Sequence, residues 1–281
     1  MQIRSPAFAL GLALLGLTLC FVLLGPFLWS ADPTLIDMRA RSQGISLAHP
    51  MGTDQLGRDL MARLMVGGRI TLAVGFVSMV LAVGLGTLIG VAAGYLRLLD
   101  NPLMRLTDLG LSLPLLPLLL LMVMLFRDPL ANRFGAGMGM FVLIILAIAL
   151  TSWMQTARLV RAEVIALKTR DYIQSAHAIG LPDLRIVWHH ILPAIAGPLL
   201  VTATLSMAQA VITESALSFL GLGFPPDTPT WGRILQEGMG YMTLAPGRVL
   251  WPALMISGLI LAIQLVTDGL RARFDPRISR R

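Results

Sequence analysis

Arg158-LVRAEVIALKTRDYIQSAHAIGLPDLRIVWHHILPAI-Ala196 is polar and basic, and it lies between two long apolar segments. Its first block, Asp171–Ile179, opens on an acidic residue suited to a helix N-terminus. It closes on Gly180, which suits a helix C-cap. Leu181-Pro182-Asp183 restarts the chain, and a second amphipathic block ends at Ile191-Leu192-Pro193. Two readings fit. The small residues Ser175, Ala176 and Ala178 let a short helix sit deep in the groove of a soluble partner. Alternatively, the helix lies on a membrane surface with Arg170 and Arg185 at the headgroups.

The rest of the chain makes a membrane the relevant setting. Of 281 residues, 56% are hydrophobic and 13% charged, against about 25% charged in a soluble domain. The net charge of +7 does not point to nucleic acid, because the basic residues fall in short segments between apolar runs. A bilayer core of about 30 Å needs roughly 20 apolar helical residues. Six segments meet or approach this: Ala7–Trp29, Ile70–Leu96, Leu109–Phe126, Gly137–Trp153, Ala194–Leu220 and Val249–Val266. Backbone polar groups in lipid must pair internally, so each is expected to be a helix. The first is too long for the apolar region of a signal peptide and reads as a retained span.

Orientation follows from Lys and Arg. With the N-terminus inside, 13 of the 22 basic residues fall on the inner side. They are Arg4, Arg97, Arg105, Arg158, Arg161, Lys168, Arg170, Arg185, Arg271, Arg273, Arg277, Arg280 and Arg281. In the outer segment Ser30–Arg69, five arginines are nearly cancelled by Asp32, Asp37, Asp54 and Asp59. Both termini and the Arg158–Ala196 segment are therefore expected on the cytosolic side. Residues 1–69 form a first span with a long outer loop, and residues 70–281 form a five-span core.

Polar residues inside spans mark where protein or water replaces lipid. Thr202, Ser206, Gln209 and Thr213, spaced four, three and four apart, form one stripe of the fifth span. That stripe either lines a pathway or binds a neighbouring helix. Pro114 and Pro117 should kink or unwind the third span; such interruptions line transport pathways in some folds and are simple packing kinks in others. Glu214 lies off the stripe. An ionisable group in a span is a functional candidate, while its place near the outer end reads as an interfacial carboxylate.

The Asp171–Pro193 segment resembles the EAA loop of ABC importer permeases, the motif that forms the helix docked on the ATPase. Gln174-Ser175-Ala176 stands at the EAA position, Gly180 is in register, and Leu192-Pro193 matches the downstream Leu-Pro. Met51-Gly52-Thr53-Asp54-Gln55-Leu56-Gly57-Arg58-Asp59, with Arg63 and Gly68-Arg69-Ile70 after it, is similar to the G-T-D-x-x-G-R-D block of the dipeptide, oligopeptide and nickel importer permeases. Ser218-Phe-Leu-Gly221-Leu-Gly223-Phe-Pro-Pro226, then Thr230-Trp231-Gly232, is similar to their S-F-L-G-L-G…W-G block. Asp268-Gly-Leu-Arg271 and Asp275-Pro276 also fit. From the residues alone, the glycines of the two outer blocks permit tight turns, and Trp231 is placed for an aromatic belt.

The resemblance implies an all-α integral membrane protein of six transmembrane helices with a cytosolic coupling helix. The residues it assigns to ATPase contact are Asp171, Tyr172, Gln174, Ser175, Ala176, Ala178, Gly180, Leu181 and Pro182. It implies a bacterial inner-membrane subunit paired with a homologous permease, two cytosolic ABC ATPases that bind ATP and Mg, and an external substrate-binding protein. The substrate class is peptides, with nickel or other metal chelates, glutathione and D-amino-acid dipeptides as alternatives. A secondary transporter or channel is the rival class, and it would need intramembrane ion-coupling groups. No cofactor is expected in the chain itself. The one lysine, Lys168, follows Leu167, so no Walker A sequence exists. His49, His177, His189 and His190 lack the spacing of a zinc site and read as polar residues of the cytosolic face. Cys20 sits alone in an apolar run, which excludes an internal disulfide.

Overall fold

The computed structural model describes residues 6–274. Arg4, Asp275, Pro276, Arg277, Arg280 and Arg281 therefore lie outside the described residues. Six helices are long and apolar enough to cross a membrane: α1 (Pro6–Leu28), α2 (Leu60–Tyr95), α4 (Leu115–Phe134), α5 (Ala136–Lys168), α7 (Asp183–Phe219) and α9 (Gly247–Phe274). Three shorter α-helices, α3 (Arg97–Ser112), α6 (Asp171–Ala178) and α8 (Trp231–Met239), and one 3-10 turn, Met38–Ala40, lie among the described residues. The described residues contain one isolated antiparallel bridge, Thr53 to Asp59.

Several boundaries differ from the sequence reading. The second span starts at Leu60 rather than Ile70, because Asp59 caps it by accepting a 2.8 Å bond from the Ala62 amide. Arg158–Lys168 belongs to the fourth span and not to the polar loop, since this stretch continues α5 with Val160 and Val164 buried. The third span is Leu115–Phe134 rather than Leu109–Phe126. The chain breaks at Leu113-Pro114, where both residues are extended. The Pro114 ring forbids a helical residue before it, so the break falls there. Pro117 sits in the first turn of α4, where a missing N–H is harmless, and it introduces no kink of its own.

Two other prolines open the helix ladder locally. Pro26 and Pro193 each follow a π-helical turn, Cys20–Leu24 and Val187–Ile191 respectively. A proline ring pushes away the carbonyl four residues earlier, and a wider turn absorbs it. In α1 the freed Val22 carbonyl accepts from Arg69 Nε at 3.0 Å, and Leu23 accepts from Arg69 Nη2 at 2.9 Å.

The tightest packing is between α2 and α5. Gly86, Gly90 and Gly94 face the α5 backbone at every fourth position. A Cβ at Gly86 would come 2.6 Å from the Trp153 carbonyl oxygen, and one at Gly90 would come 2.7 Å from that of Ala157. Small residues at this spacing let two membrane helices meet backbone to backbone. On the other side, α1 packs along α9, with Gly11 against Leu265 and Gly269 against Phe8. The start of α1, the end of α9 and the α6 segment thus share one face. The 29–59 loop, α8 and the 220–247 connection share the other. Large apolar side chains such as Phe27, Leu88 and Leu254 point outward, as expected of a surface solvated by lipid.

Candidate functional site

The α6 segment is built on a buried apolar seam. Ile173 and Ala176 face inward and pack with Tyr95, Val160, Val164, Ile186, Ile191 and Ile195. The small side chain of Ala176, 5% exposed, thus anchors the helix to its own chain and is not part of its exposed face. The outer face carries Asp171, Tyr172, Gln174, Ser175, His177 and Ala178, all exposed. Gly180 adopts φ +79°. Its amide donates to the His177 carbonyl at 3.0 Å, and the Leu181 amide donates to Ala176 at 3.2 Å. This is the Schellman closure, in which the left-handed residue is normally glycine. Pro182 is extended and starts α7 at Asp183.

Polar contacts pin the segment to the span ends. Tyr95 Oη donates to Asp183 at 2.7 Å and lies 3.3 Å from His177 Nε2. Lys168 Nζ donates to the Tyr95 carbonyl at 2.8 Å and stands 4.9 Å from its ring centroid. Arg161 holds Asp100 through Nε at 2.5 Å and Nη2 at 2.7 Å, and Arg158 pairs with Asp108, so α3 is tied to α5. The Arg161 hydrogen bonds hold the Asp100 carboxyl below its usual range. Sequence reading assigned no such contact to Tyr95, Lys168 or Asp183. Their partners are 73 to 88 residues away, and no local pattern reveals them.

A second feature lies at membrane depth. A cavity of about 390 Å³ is lined by Thr202, Ser206 and Gln209 of α7, Thr151, Ser152 and Gln155 of α5, Gln264 of α9, and Leu115 beside Pro114. Three members of the sequence stripe therefore meet there. Thr213 does not, since it is buried and bonds the Gln209 carbonyl at 2.8 Å. Pro117 is exposed outside the cavity lining. The side-chain amides of Gln155, Gln209 and Gln264 make no hydrogen bond within the described residues. An amide facing lipid without a partner costs several kcal/mol, so these groups call for water or for polar groups of another chain. Thr151, Ser152 and Gln155, spaced at a helical turn, carried the same signal as the α7 stripe and were missed.

Glu214 is neither interfacial nor in this cavity. It is fully buried and accepts from Ser218 at 2.7 Å and Thr71 at 3.0 Å. The same Thr71 hydroxyl accepts from the Trp231 amide at 3.4 Å. Trp231 is likewise not in an aromatic belt: it is completely buried, and its Nε1 donates to the Leu64 carbonyl at 2.8 Å. Gly232 lies against the Ser215 backbone and Gly223 against Ser218, so close that a Cβ would reach 2.7 Å from either Cα. The outer block Ser218–Gly232 thus clasps α2, α7 and α8 together.

The other outer block is an ion-pair cluster. Gly52 and Gly57 take φ +80° and +76°, and Gly221 takes +77°. Thr53 bonds the Ala40 carbonyl at 2.5 Å. Asp54 accepts from Arg58 Nε at 2.6 Å and Arg63 Nη1 at 2.7 Å. Glu237 of α8 accepts from Arg63 at 2.9 Å, Arg58 at 3.2 Å and Arg233 at 3.1 Å. Asp59 receives Trp29 Nε1 and His49 Nδ1, so His49 belongs to the 29–59 loop, on the face opposite α6. Glu237, 174 residues from Arg63 in sequence, and Arg233 are the members that sequence reading missed. The described residues hold no cluster able to bind a metal ion.

The family model for the binding-protein-dependent transport system inner membrane component matches residues 82–280. This chain belongs to that family. A putative peptide transport system permease protein of Brucella suis is 38% identical over 98% of this chain and 90% of its own length. The oligopeptide transport system permease protein OppC of Bacillus subtilis is 32% identical over all of this chain and 89% of its own. The glutathione transport system permease protein GsiD of Pectobacterium atrosepticum is 36% identical over 85% and 76%. Among solved structures, the inward-facing MetNI methionine ABC transporter has a chain that matches 77% of this one and 98% of itself, with TM-score 0.62 and 21% identity. The fold is that of an ABC importer permease, and within that fold α6 occupies the connection between two core spans.

Proposed function

We propose that this chain forms half of the translocation pathway of an ATP-driven importer of peptides. A homologous permease supplies the other half, two cytosolic ATPases bind ATP and Mg and do the hydrolysis, and an external binding protein delivers substrate. One observation carries the reading. The exposed helix α6 is bound to the inner ends of α2, α5 and α7, and α5 and α7 are helices that line the glutamine cavity. A push on the outer face of α6 by an ATPase is thereby transmitted to the walls of the cavity. Closure of the ATPases on ATP opens the pathway outward, and hydrolysis returns it inward. Both termini and α6 lie on the cytosolic side, in keeping with the basic residues Arg158, Arg161, Lys168, Arg170 and Arg185 there.

The relatives' names support peptides as the substrate class, and one of them supports glutathione, itself a short peptide. Gln155, Gln209 and Gln264 offer amide donors and acceptors without net charge, which suits a backbone of varied side chains. A secondary transporter is disfavoured, because Glu214 is locked to Ser218 and Thr71 and does not face the cavity. The test is reconstitution with the neighbouring subunits in proteoliposomes. Uptake of a labelled di- or oligopeptide that requires both ATP and the binding protein is expected. Uptake driven by an ion gradient without ATP would overturn the proposal.

A further inference from the structure

The outer ion-pair cluster is short of carboxylates. Asp54 and Glu237 already serve Arg58, Arg63 and Arg233, and Asp59 serves Trp29 and His49. A fourth guanidinium, Arg248, stands in the first turn of α9 and is 4% exposed. Its Nε donates to the Thr53 carbonyl at 3.1 Å, and its Cζ lies 4.8 Å from the Tyr241 ring centroid. Nη1 and Nη2 have no hydrogen-bond partner among the described residues, and neither does Nε1 of Trp251; all three nitrogens are closed to water. Both side chains line one cavity of about 280 Å³ on the outer face. The other walls include Ile45, Met51, Leu244 and Pro246.

We propose that this cavity is a binding site for a carboxylate on a short aliphatic stem. A guanidinium is always charged and offers a planar pair of donors, which matches a carboxylate. The Trp251 indole N–H adds a third donor that accepts nothing. A buried cation with unpaired donors, near Asp54 but not bonded to it, is strongly unfavourable, and charge-assisted hydrogen bonds to a carboxylate, made as the side chains turn toward the cavity, remove that cost. The start of α9, with its partial positive charge, adds to the preference for an anion. The apolar walls take the methylene stem, and the volume admits a glutamate-sized group but not a folded peptide. Two sources present such a group: a free solute, or an acidic side chain on an external protein.

The probe is glutarate, titrated by calorimetry into the full-length protein in lipid nanodiscs with the subunits that co-purify. Glutaramide, neutral and of the same shape, is the control. Glutarate is expected to bind near the ~1 mM range of a small ligand held by a few charge-assisted bonds, and glutaramide is expected not to bind. Arg248→Gln should abolish binding. Because that variant also loses the bond to Thr53, Trp251→Phe is the second variant; it keeps the ring, and its affinity should fall at least 5-fold. Equal binding of the two probes, unchanged binding by Trp251→Phe, or no glutarate binding would each overturn the site. A further arm separates the sources and rests on the importer reading, whereas the titration does not. Inhibition of binding-protein-stimulated ATP hydrolysis by glutarate, and not by glutaramide, assigns the carboxylate to the external protein. Glutarate binding without that inhibition assigns it to a free solute.

Discussion

Tyr95 and Asp183 are joined by a 2.7 Å hydrogen bond that ties the last residue of α2 to the first residue of α7. The bond closes the α6 segment into a loop with a fixed base. Asp183 is largely exposed, so this contact contributes modestly to stability, about 1 kcal/mol. Its value lies in registering two spans against α6. Tyr95→Phe is expected to leave expression near normal and to lower ATP-dependent uptake several-fold, measured in proteoliposomes. Unchanged uptake would show that the apolar seam alone fixes α6.

The two small residues next to each other on α6 should fail in different ways. Ala176 is buried against its own chain, so Ala176→Arg places an unpaired charge in the seam. That is expected to cost several kcal/mol and to deplete the folded protein. Ser175 is exposed, so Ser175→Arg should leave the protein folded and stop ATPase co-purification. A size-exclusion profile and the ATPase content of the purified sample distinguish the two.

Cysteines placed along α7 report which side chains meet water. In a Cys20→Ser background, Ser206→Cys and Gln209→Cys should react with a small membrane-impermeant thiol reagent, and trapping ATP should change the rate. Thr213→Cys, one turn further along but buried, should stay unreacted. Labelling of Thr213→Cys at the same rate as Gln209→Cys would dissolve the distinction between stripe and cavity.

The α2–α5 contact gives a paired prediction. Gly90→Val forces a side chain into the Ala157 backbone and should destabilise by at least 1–3 kcal/mol, seen as lost accumulation in the membrane. Gly84, on the same helix with nothing within 4 Å of an added Cβ, should accept alanine with normal yield.

Asp100 supplies a pH test. Arg161 depresses the folded-state value of its carboxyl, so the pair stabilises the protein above the ordinary aspartate value. The contribution is lost as pH falls through the lower folded-state value. Thermal stability of wild type should exceed that of Asp100→Asn at neutral pH, by no more than the ~1 kcal/mol typical of partly exposed pairs. The two should converge in strong acid. A constant difference down to that range would remove the ion pair as its cause.

The α6 segment was legible because its chemistry is local. An acidic start, Gly180 and a proline restart fall within a dozen residues, and the structure closes them as a Schellman turn. The α7 stripe was legible from helical spacing up to Gln209; Thr213 dropped out because its hydroxyl finds a carbonyl one turn back. What stayed hidden is what pairs across distance. Arg58 and Arg63 find Glu237, Tyr95 finds Asp183, and Arg248 finds Thr53, each across 88 or more residues. Trp231 was misplaced for a related reason. Its composition suits a membrane interface, but Thr71 and Leu64, both far off in sequence, offer it two bonds inside.

The joint between α2 and α5 is closed by glycine on one side only. Gly86, Gly90 and Gly94 meet Thr156, Val160 and Val164 and the main chain beside them, so α2 has no rotamers to readjust there and the β-branched side chains opposite are stiff at χ1. Sliding or twisting the helices would drive the Trp153 and Ala157 carbonyls into the α2 backbone. If an ATPase presses on α6 as proposed, α2 and α5 would move together as a strut, with Tyr95 and Lys168 at the end beside α6 and Gln155 partway along its length. A displacement arriving at that end would reach the glutamine with little lost to local repacking. The stiffness of such a lever would come from atoms the glycines leave out.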